Sequence, residues 1–169
     1  REIDDPPILV HVLGSLESLN SPTSVAIIGT REPTSFGRQS ARRIASSVAQ
    51  RGAVVVSGLA IGCDSEAHVG CLEAGGITIA IMAHGLDRVY PADTRELSNR
   101  ILDSSGCLIS EYECGVRPFR TSFVERDRLQ SGLSQAVLLI ETGLKGGSRH
   151  TIGFAQKQHR PYACVSHPD

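Results

Sequence analysis

Three glycine-rich stretches, each following an apolar run, carry the residue types that handle anions. They read Gly29-Thr30-Arg31, then Ser57-Gly58-Leu59-Ala60, then Glu141-Thr142-Gly143-Leu144-Lys145-Gly146-Gly147-Ser148-Arg149-His150-Thr151. Glycine lets a backbone approach a ligand closely, N–H groups at a helix start favour negative charge, and arginine's planar fork matches phosphate. A further segment, Phe123-Val124-Glu125-Arg126-Asp127-Arg128, adds two arginines. The chemistry these residues suit is phosphate binding, with Gly29, Thr30, Arg31, Ser57, Gly58, Arg126, Arg128, Gly147, Ser148 and Thr151 as candidate contacts. Arg126 and Arg128 stand two apart, so on a regular helix they diverge and cannot share one phosphate.

Other chemistries find less support. A dinucleotide site needs Gly-x-Gly-x-x-Gly directly after the first strand and an acidic residue ending the second, whereas that strand ends Val56-Ser57-Gly58. Asp64 and His68 share a helix face, but no spacing supplies a third or fourth metal ligand, and Asp64 suits the N-cap of its helix. No Gly-x-Ser-x-Gly or other catalytic constellation is present, and Glu141 is placed to orient an arginine or backbone groups. No catalytic residue, metal or cofactor is therefore expected. The five cysteines form no C-x-x-C pair and no closed disulfide framework, which fits a reducing cytoplasm. Cys71, Cys107 and Cys164 read as small core hydrophobes. Base-stacking aromatics are few, with four Phe, three Tyr and no Trp; Tyr112 and Phe123 are the candidates.

The elements that must position these loops follow from periodicity. Short, nearly continuous apolar runs at Val25–Ile28, Val54–Ser57, Thr78–Met82, Cys107–Ser110, Ala136–Ile140 and Tyr162–Val165 read as strands buried on both faces. Between them lie helical patterns at Gly37–Gln50, from Asp64 to the residue before Gly75-Gly76, after Pro91 to about Ser104, around Val124–Ser131, and from Ser148 to His159. Asp93-Thr94-Arg95-Glu96 has capping-box spacing. Alternating strand and helix predict an α/β fold: a doubly wound, mostly parallel sheet with helices on both faces, extended Rossmann-like. Residues 1–22 read as an extension packed on the domain formed by residues 23–169. The apolar runs are too short to span a membrane, and the start lacks a signal-peptide pattern. A net charge of −1 leaves nucleic-acid binding to a local basic face, although 15 of the 17 basic residues are arginine.

In order along the chain, Gly29-Thr30-Arg31, Ser57-Gly58-Leu59-Ala60, Gly62-Cys63-Asp64, Ala67-His68, Leu72-Glu73-Ala74-Gly75-Gly76, Gly85-Leu86-Asp87, Tyr90-Pro91, Ser110-Glu111-Tyr112, Ser131-Gly132-Leu133-Ser134 and Gly147-Ser148 with Thr151 resemble the DprA/Smf family. The resemblance implies a non-enzymatic protein of DNA processing and natural transformation that binds single-stranded DNA, loads a RecA-type recombinase and forms homodimers. It also implies that Arg31, Arg126, Arg128 and the Gly147-Ser148 turn form a basic pocket for DNA phosphates. The chain departs from the family's usual Arg-Asn-Arg at Arg126-Asp127-Arg128, which places a carboxylate in that pocket, and Arg149 and His150 are also unusual. Longer members carry helical or winged-helix domains not found in these residues. Two alternatives share the fold: a sensor of nucleotide-derived signals, and a nucleotide phosphoribohydrolase. The hydrolase pattern Pro-Gly-Gly-x-Gly-Thr-x-x-Glu breaks after Gly146-Gly147, where Gly153 and Phe154 stand near the expected acid.

Overall fold

The computed structural model describes residues 3–144 and 146–167. Seven strands form one sheet: β1 (His11–Gly14), β2 (Ser24–Ile28), β3 (Val54–Ser57), β4 (Thr78–Met82), β5 (Cys107–Ser110), β6 (Ala136–Leu139) and β7 (Tyr162–Cys164). Five helices connect them: α1 (Ser35–Ala49), α2 (Cys63–Glu73), α3 (Arg95–Asp103), α4 (Arg120–Gly132) and α5 (Ser148–Lys157). The strand order is β1-β5-β4-β3-β2-β6-β7, parallel throughout except for β1, which pairs antiparallel with β5.

Every residue of β3, β4 and β5 is buried, because helices cover both faces of the sheet. Strand alternation divides the contacts between two layers. Val54, Val56, Ile79, Ile81 and Ile109 pack with Leu129 of α4 and Ala155 of α5. Val55 packs with Ala41 and Ala45 of α1 and Ala67 of α2, and Ala80, Met82 and Leu108 meet Leu97 and Ile101 of α3. Small residues let α1 and α2 approach closely: a Cβ on Gly70 would stand 2.1 Å from the Arg42 carbonyl oxygen.

The structure corrects the sequence reading at several termini. β1 was not expected; it completes one sheet edge while Val10, Val12 and Leu19 pack against the core. Asp64 is not an N-cap: Gly62, at φ 86°, caps α2, and Asp64 lies inside the helix. The Asp93 capping box does not form, because Ala92–Thr94 make a 3-10 turn and the Thr94 hydroxyl donates to the Pro91 carbonyl (2.9 Å). α4 begins four residues before the expected Val124, where the Ser122 hydroxyl accepts from the Phe119 N–H (3.1 Å). Cys71 and Cys107 are buried as expected, but Cys164 is exposed because β7 is an edge strand with its three residues in solvent.

Replacing Gly70 with Ala should drive a methyl into the backbone of α1. The expected loss is about 1–3 kcal/mol, the usual cost of overpacking. It would appear as a lower urea midpoint at unchanged slope; an unaltered midpoint would show that α1 and α2 separate freely.

Candidate anion-binding cleft

From β2 the chain steps through β3 and β4 to β5 in one direction, then returns to place β6 on the other side of β2. At this reversal the loops leaving β2 and β6 diverge and open a crevice at the carboxyl ends of the strands. The crevice is a cleft of about 360 Å³ lined by the β2 loop, the start of α2, one side of α4 and the start of α5. Backbone bonds fix its wall: the Thr30 N–H donates to the Glu141 carbonyl (2.8 Å), and the Cys63 N–H to the Thr30 carbonyl (3.1 Å). Gly29 is required there, since a Cβ would lie 2.4 Å from the Cys63 Sγ. Glu141 accepts from the Thr34 N–H (3.1 Å) and hydroxyl (2.9 Å), so it orients the entry to α1, as its place after a buried strand suggests.

Seven of the ten expected contacts line the cleft: Gly29, Thr30, Arg31, Arg126, Gly147, Ser148 and Thr151. Three do not. The Ser57 hydroxyl is buried and donates to the Ile27 carbonyl (2.7 Å), and Gly58 lies beneath the floor, where a Cβ would overlap Arg126. Arg128 leaves α4 on another side and forms a forked pair with Glu111 (2.6 Å to each oxygen) and a bond to Asp5 (3.0 Å). The regular geometry of α4 thus separates Arg126 from Arg128. Arg149 also turns away, donating to the Leu144 carbonyl (2.6 Å).

The floor contains groups that sequence spacing alone does not bring together. Asp64 is buried, and its Oδ2 accepts from the Gly58 (3.1 Å) and Ala60 (3.4 Å) N–H groups. Burial pushes its carboxyl above the usual range, opposed by the positive charge of Arg126. Arg126 is 5% exposed. The Gln130 amide, oriented by its surroundings, accepts from Arg126 Nη1 and from the Gly58 N–H (2.9 Å). Asp127 Oδ1 lies 3.6 Å from Arg126 Nε, too far for a tight pair. Burial pushes the Asp127 carboxyl up to about 6, with Arg126 opposing and Asp64 reinforcing the shift. His68 stays neutral, its pKa lowered to about 3 by burial and by Arg126. Its Nδ1 donates to Thr78 Oγ1 (2.7 Å), because the Thr78 proton is given to the Val55 carbonyl (2.8 Å).

The rim differs from the floor. Arg31 is exposed and lies over the Phe123 ring, 5.1 Å from its centroid, with no carboxylate partner among the described residues. His150 is also exposed at the rim, and the first residues of α5 present a helix N-terminus to the opening. Among the described residues no three His, Cys, Asp or Glu side chains gather to hold a metal. No described helix is long and apolar enough to cross a membrane.

The same order of loops and strands defines a known family: residues 1–168 match the model of DNA recombination-mediator protein A. The chain belongs to this family. It is 39% identical over 99% of its length to protein Smf of Synechocystis, covering 43% of that protein. It is 32% identical over 98% of its length to DNA processing protein DprA of Bacillus subtilis, covering 55% of it. The chain thus spans about half the length of these curated relatives. Among solved structures it superposes on DNA processing protein A of Helicobacter pylori with a TM-score of 0.90 at 34% identity, covering 98% of this chain and 75% of that one. That structure was described for its single-stranded DNA binding mode. A molybdenum cofactor carrier protein of Chlamydomonas reinhardtii, at 18% identity and a TM-score of 0.60 over 84% of this chain and 75% of that one, shares the fold alone.

The raised carboxyl of Asp127 has a sign that can be checked. Between the usual 3.8 and the folded value of about 6 the native state holds the proton more tightly than the unfolded chain, so stability from this group falls as pH rises through that window. Asp127→Asn removes the titration. Its stability relative to the native sequence should rise by roughly 2–3 kcal/mol between pH 4 and pH 7. Denaturant unfolding across that range measures it; a pH-independent difference would show an unshifted carboxyl, and a difference that falls with pH would place Asp127 in a satisfied ion pair.

Proposed function

We propose that this chain is a non-enzymatic single-stranded-DNA-binding body of the DprA type, which holds the phosphate backbone across the β2/β6 cleft. The observation that carries this reading is the contrast within the cleft. Arg31 stands at the rim beside the N-terminus of α5 with no carboxylate partner among the described residues, while Asp64 and Arg126 of the floor are engaged in holding loops together. An unpaired surface arginine costs little to leave in water and is available to phosphate. The DNA-binding relative from Helicobacter pylori supports the same assignment.

A binding role also suits the commitments of the ionisable groups. Asp64 is tied to two backbone N–H groups, and His68 is neutral and hydrogen-bonded to Thr78, which leaves neither poised to transfer a proton to a ligand. With this reading we propose, on the family resemblance, recombinase loading, a role in natural transformation, homodimer formation and a cytoplasmic location. A second reading, a nucleotide sensor, is favoured by one observation: a cleft of about 360 Å³ is the size of small-ligand pockets. Thermal stabilisation by mononucleotides without oligonucleotide binding would support it.

Fluorescence anisotropy on a labelled thymidine oligonucleotide across a salt series provides the test. Log affinity should fall linearly with log salt, by about 0.7 per phosphate contacted on a single strand. Arg31→Ala should weaken binding and reduce that slope by about 0.7, with the melting temperature almost unchanged. A flat salt response, or equal loss of affinity and stability, would remove the assignment.

Asp127→Asn should tighten binding several-fold at pH 7, by deleting a negative charge that lines the same cleft. Because Asp127 titrates near 6, the gain over the native sequence should shrink as pH falls below about 6. Equal affinities at pH 7 would place the strand away from α4.

A further inference from the structure

All seven aromatic residues lie outside the fully buried core, and four of them gather at one end of the sheet. Phe123 lines the cleft beneath Arg31. Tyr90, on the loop after β4, has its ring centroid 6.0 Å from that of Phe123. One helical turn before Phe123, Phe119 meets Tyr112 of the β5 loop edge-on at 5.8 Å. The Tyr112 hydroxyl donates to Glu125 (2.6 Å), which fixes that ring.

This arrangement is not explained by core packing. Tyr90 remains 47% exposed and Phe119 45% exposed, although the interior beside them is filled by aliphatic side chains. Large rings in solvent at the edge of a polar cleft mark a contact surface. The charges around them indicate its occupant. Arg117 and Arg120 flank Phe119, are exposed, and have no carboxylate partner among the described residues. Arg88 is paired with Asp87 (2.8 Å) and Glu125 is engaged by Tyr112; Glu113, four residues before Arg117, and Asp93, three after Tyr90, are the other exposed acids close in sequence. Aromatic faces interleaved with unpaired arginines suit stacked bases joined by phosphates, since every base presents a π-face and every linkage a negative charge.

We propose that Tyr90 and Phe119, flanked by Arg117 and Arg120, form a stacking shelf that extends the cleft and takes the bases of a strand whose adjoining phosphates lie against Arg31. The inference rests on the DNA-binding reading and assigns the strand a direction of travel away from β2, across the ends of β4 and β5. Contact there is with bases of any kind, so it confers affinity with little sequence preference. The shelf adds to the binding of a strand long enough to leave the cleft and contributes nothing to a shorter one.

The test replaces each ring by a side chain of similar apolar character without a π-face, Tyr90→Leu with Phe119→Leu, in the whole chain. Anisotropy is read with a thymidine trinucleotide, a thymidine dodecanucleotide and an abasic strand of the longer length. The double variant should bind the dodecanucleotide at least about tenfold more weakly, from stacking worth about 1–3 kcal/mol per base, and the trinucleotide as the native sequence does. It should no longer distinguish the dodecanucleotide from the abasic strand. Tyr90→Phe with Phe119→Tyr should restore both properties, and melting curves of the single variants separate a folding defect from a binding one. Native affinity for the dodecanucleotide in the leucine variant, with Arg31→Ala still deficient, would overturn the shelf and leave the DNA reading intact. Failure of the native sequence to bind any strand would overturn both.

Discussion

A buried guanidinium organises the cleft. Arg126 sits almost wholly out of water, where an uncompensated charge would be destabilising by several kcal/mol. Compensation comes from the next turn of α4 and from the first turn of α2, distant in sequence. Gln130 accepts from Arg126 and from the Gly58 N–H, and the Asp64 carboxylate holds that same N–H along with Ala60. The β3 loop, the first turn of α2 and the middle of α4 are joined through this one group. Gly58 has no side chain because Arg126 occupies the place a Cβ would take, 1.6 Å from Nη1. The glycine that resembles part of a phosphate loop therefore makes room for an arginine of the same protein.

This knot explains how a nearly neutral chain presents a basic rim. Within the floor Arg126 is faced by Asp64 and held by Gln130, and Arg31 stands apart from them at the edge. Phe123 supports it by a cation–π contact that leaves the guanidinium fork open to an anion. Asp127 is the imperfect member of the set. It is too far from Arg126 for a close bond and is surrounded by enough protein to resist ionisation, so the charge of the cleft is set near neutral pH.

The sheet was legible where physics acts locally. β2 to β5 are buried almost throughout on both faces, β6 is buried on one face and partly covered on the other, and all announce themselves as continuous apolar runs. β1 is half in solvent and has no such run, so only its pairing with β5 reveals it. Asp64 was misplaced for an instructive reason. An aspartate at a helix start satisfies N–H groups, and here it does so for the preceding loop, while Gly62 makes the cap because a Cβ would meet the Thr30 carbonyl at 2.5 Å. Arg31 and Thr151 could be placed by their positions after strands, since topology sends those loops to the cleft. Arg128 could not, because Asp5 lies 123 residues away in sequence and no local pattern joins them.

The distribution of rings has a spectroscopic consequence. With no tryptophan and three tyrosines, the chain's near-ultraviolet fluorescence comes from Tyr90, Tyr112 and Tyr162, none of which is buried in the core. Two of these stand beside the cleft, and the third lies on the exposed edge strand. The aliphatic interior is optically silent at those wavelengths. Light emitted by this protein reports on its surface loops, so a change in emission can register an event at the ends of β4 and β5 while the packed layers beneath remain unchanged.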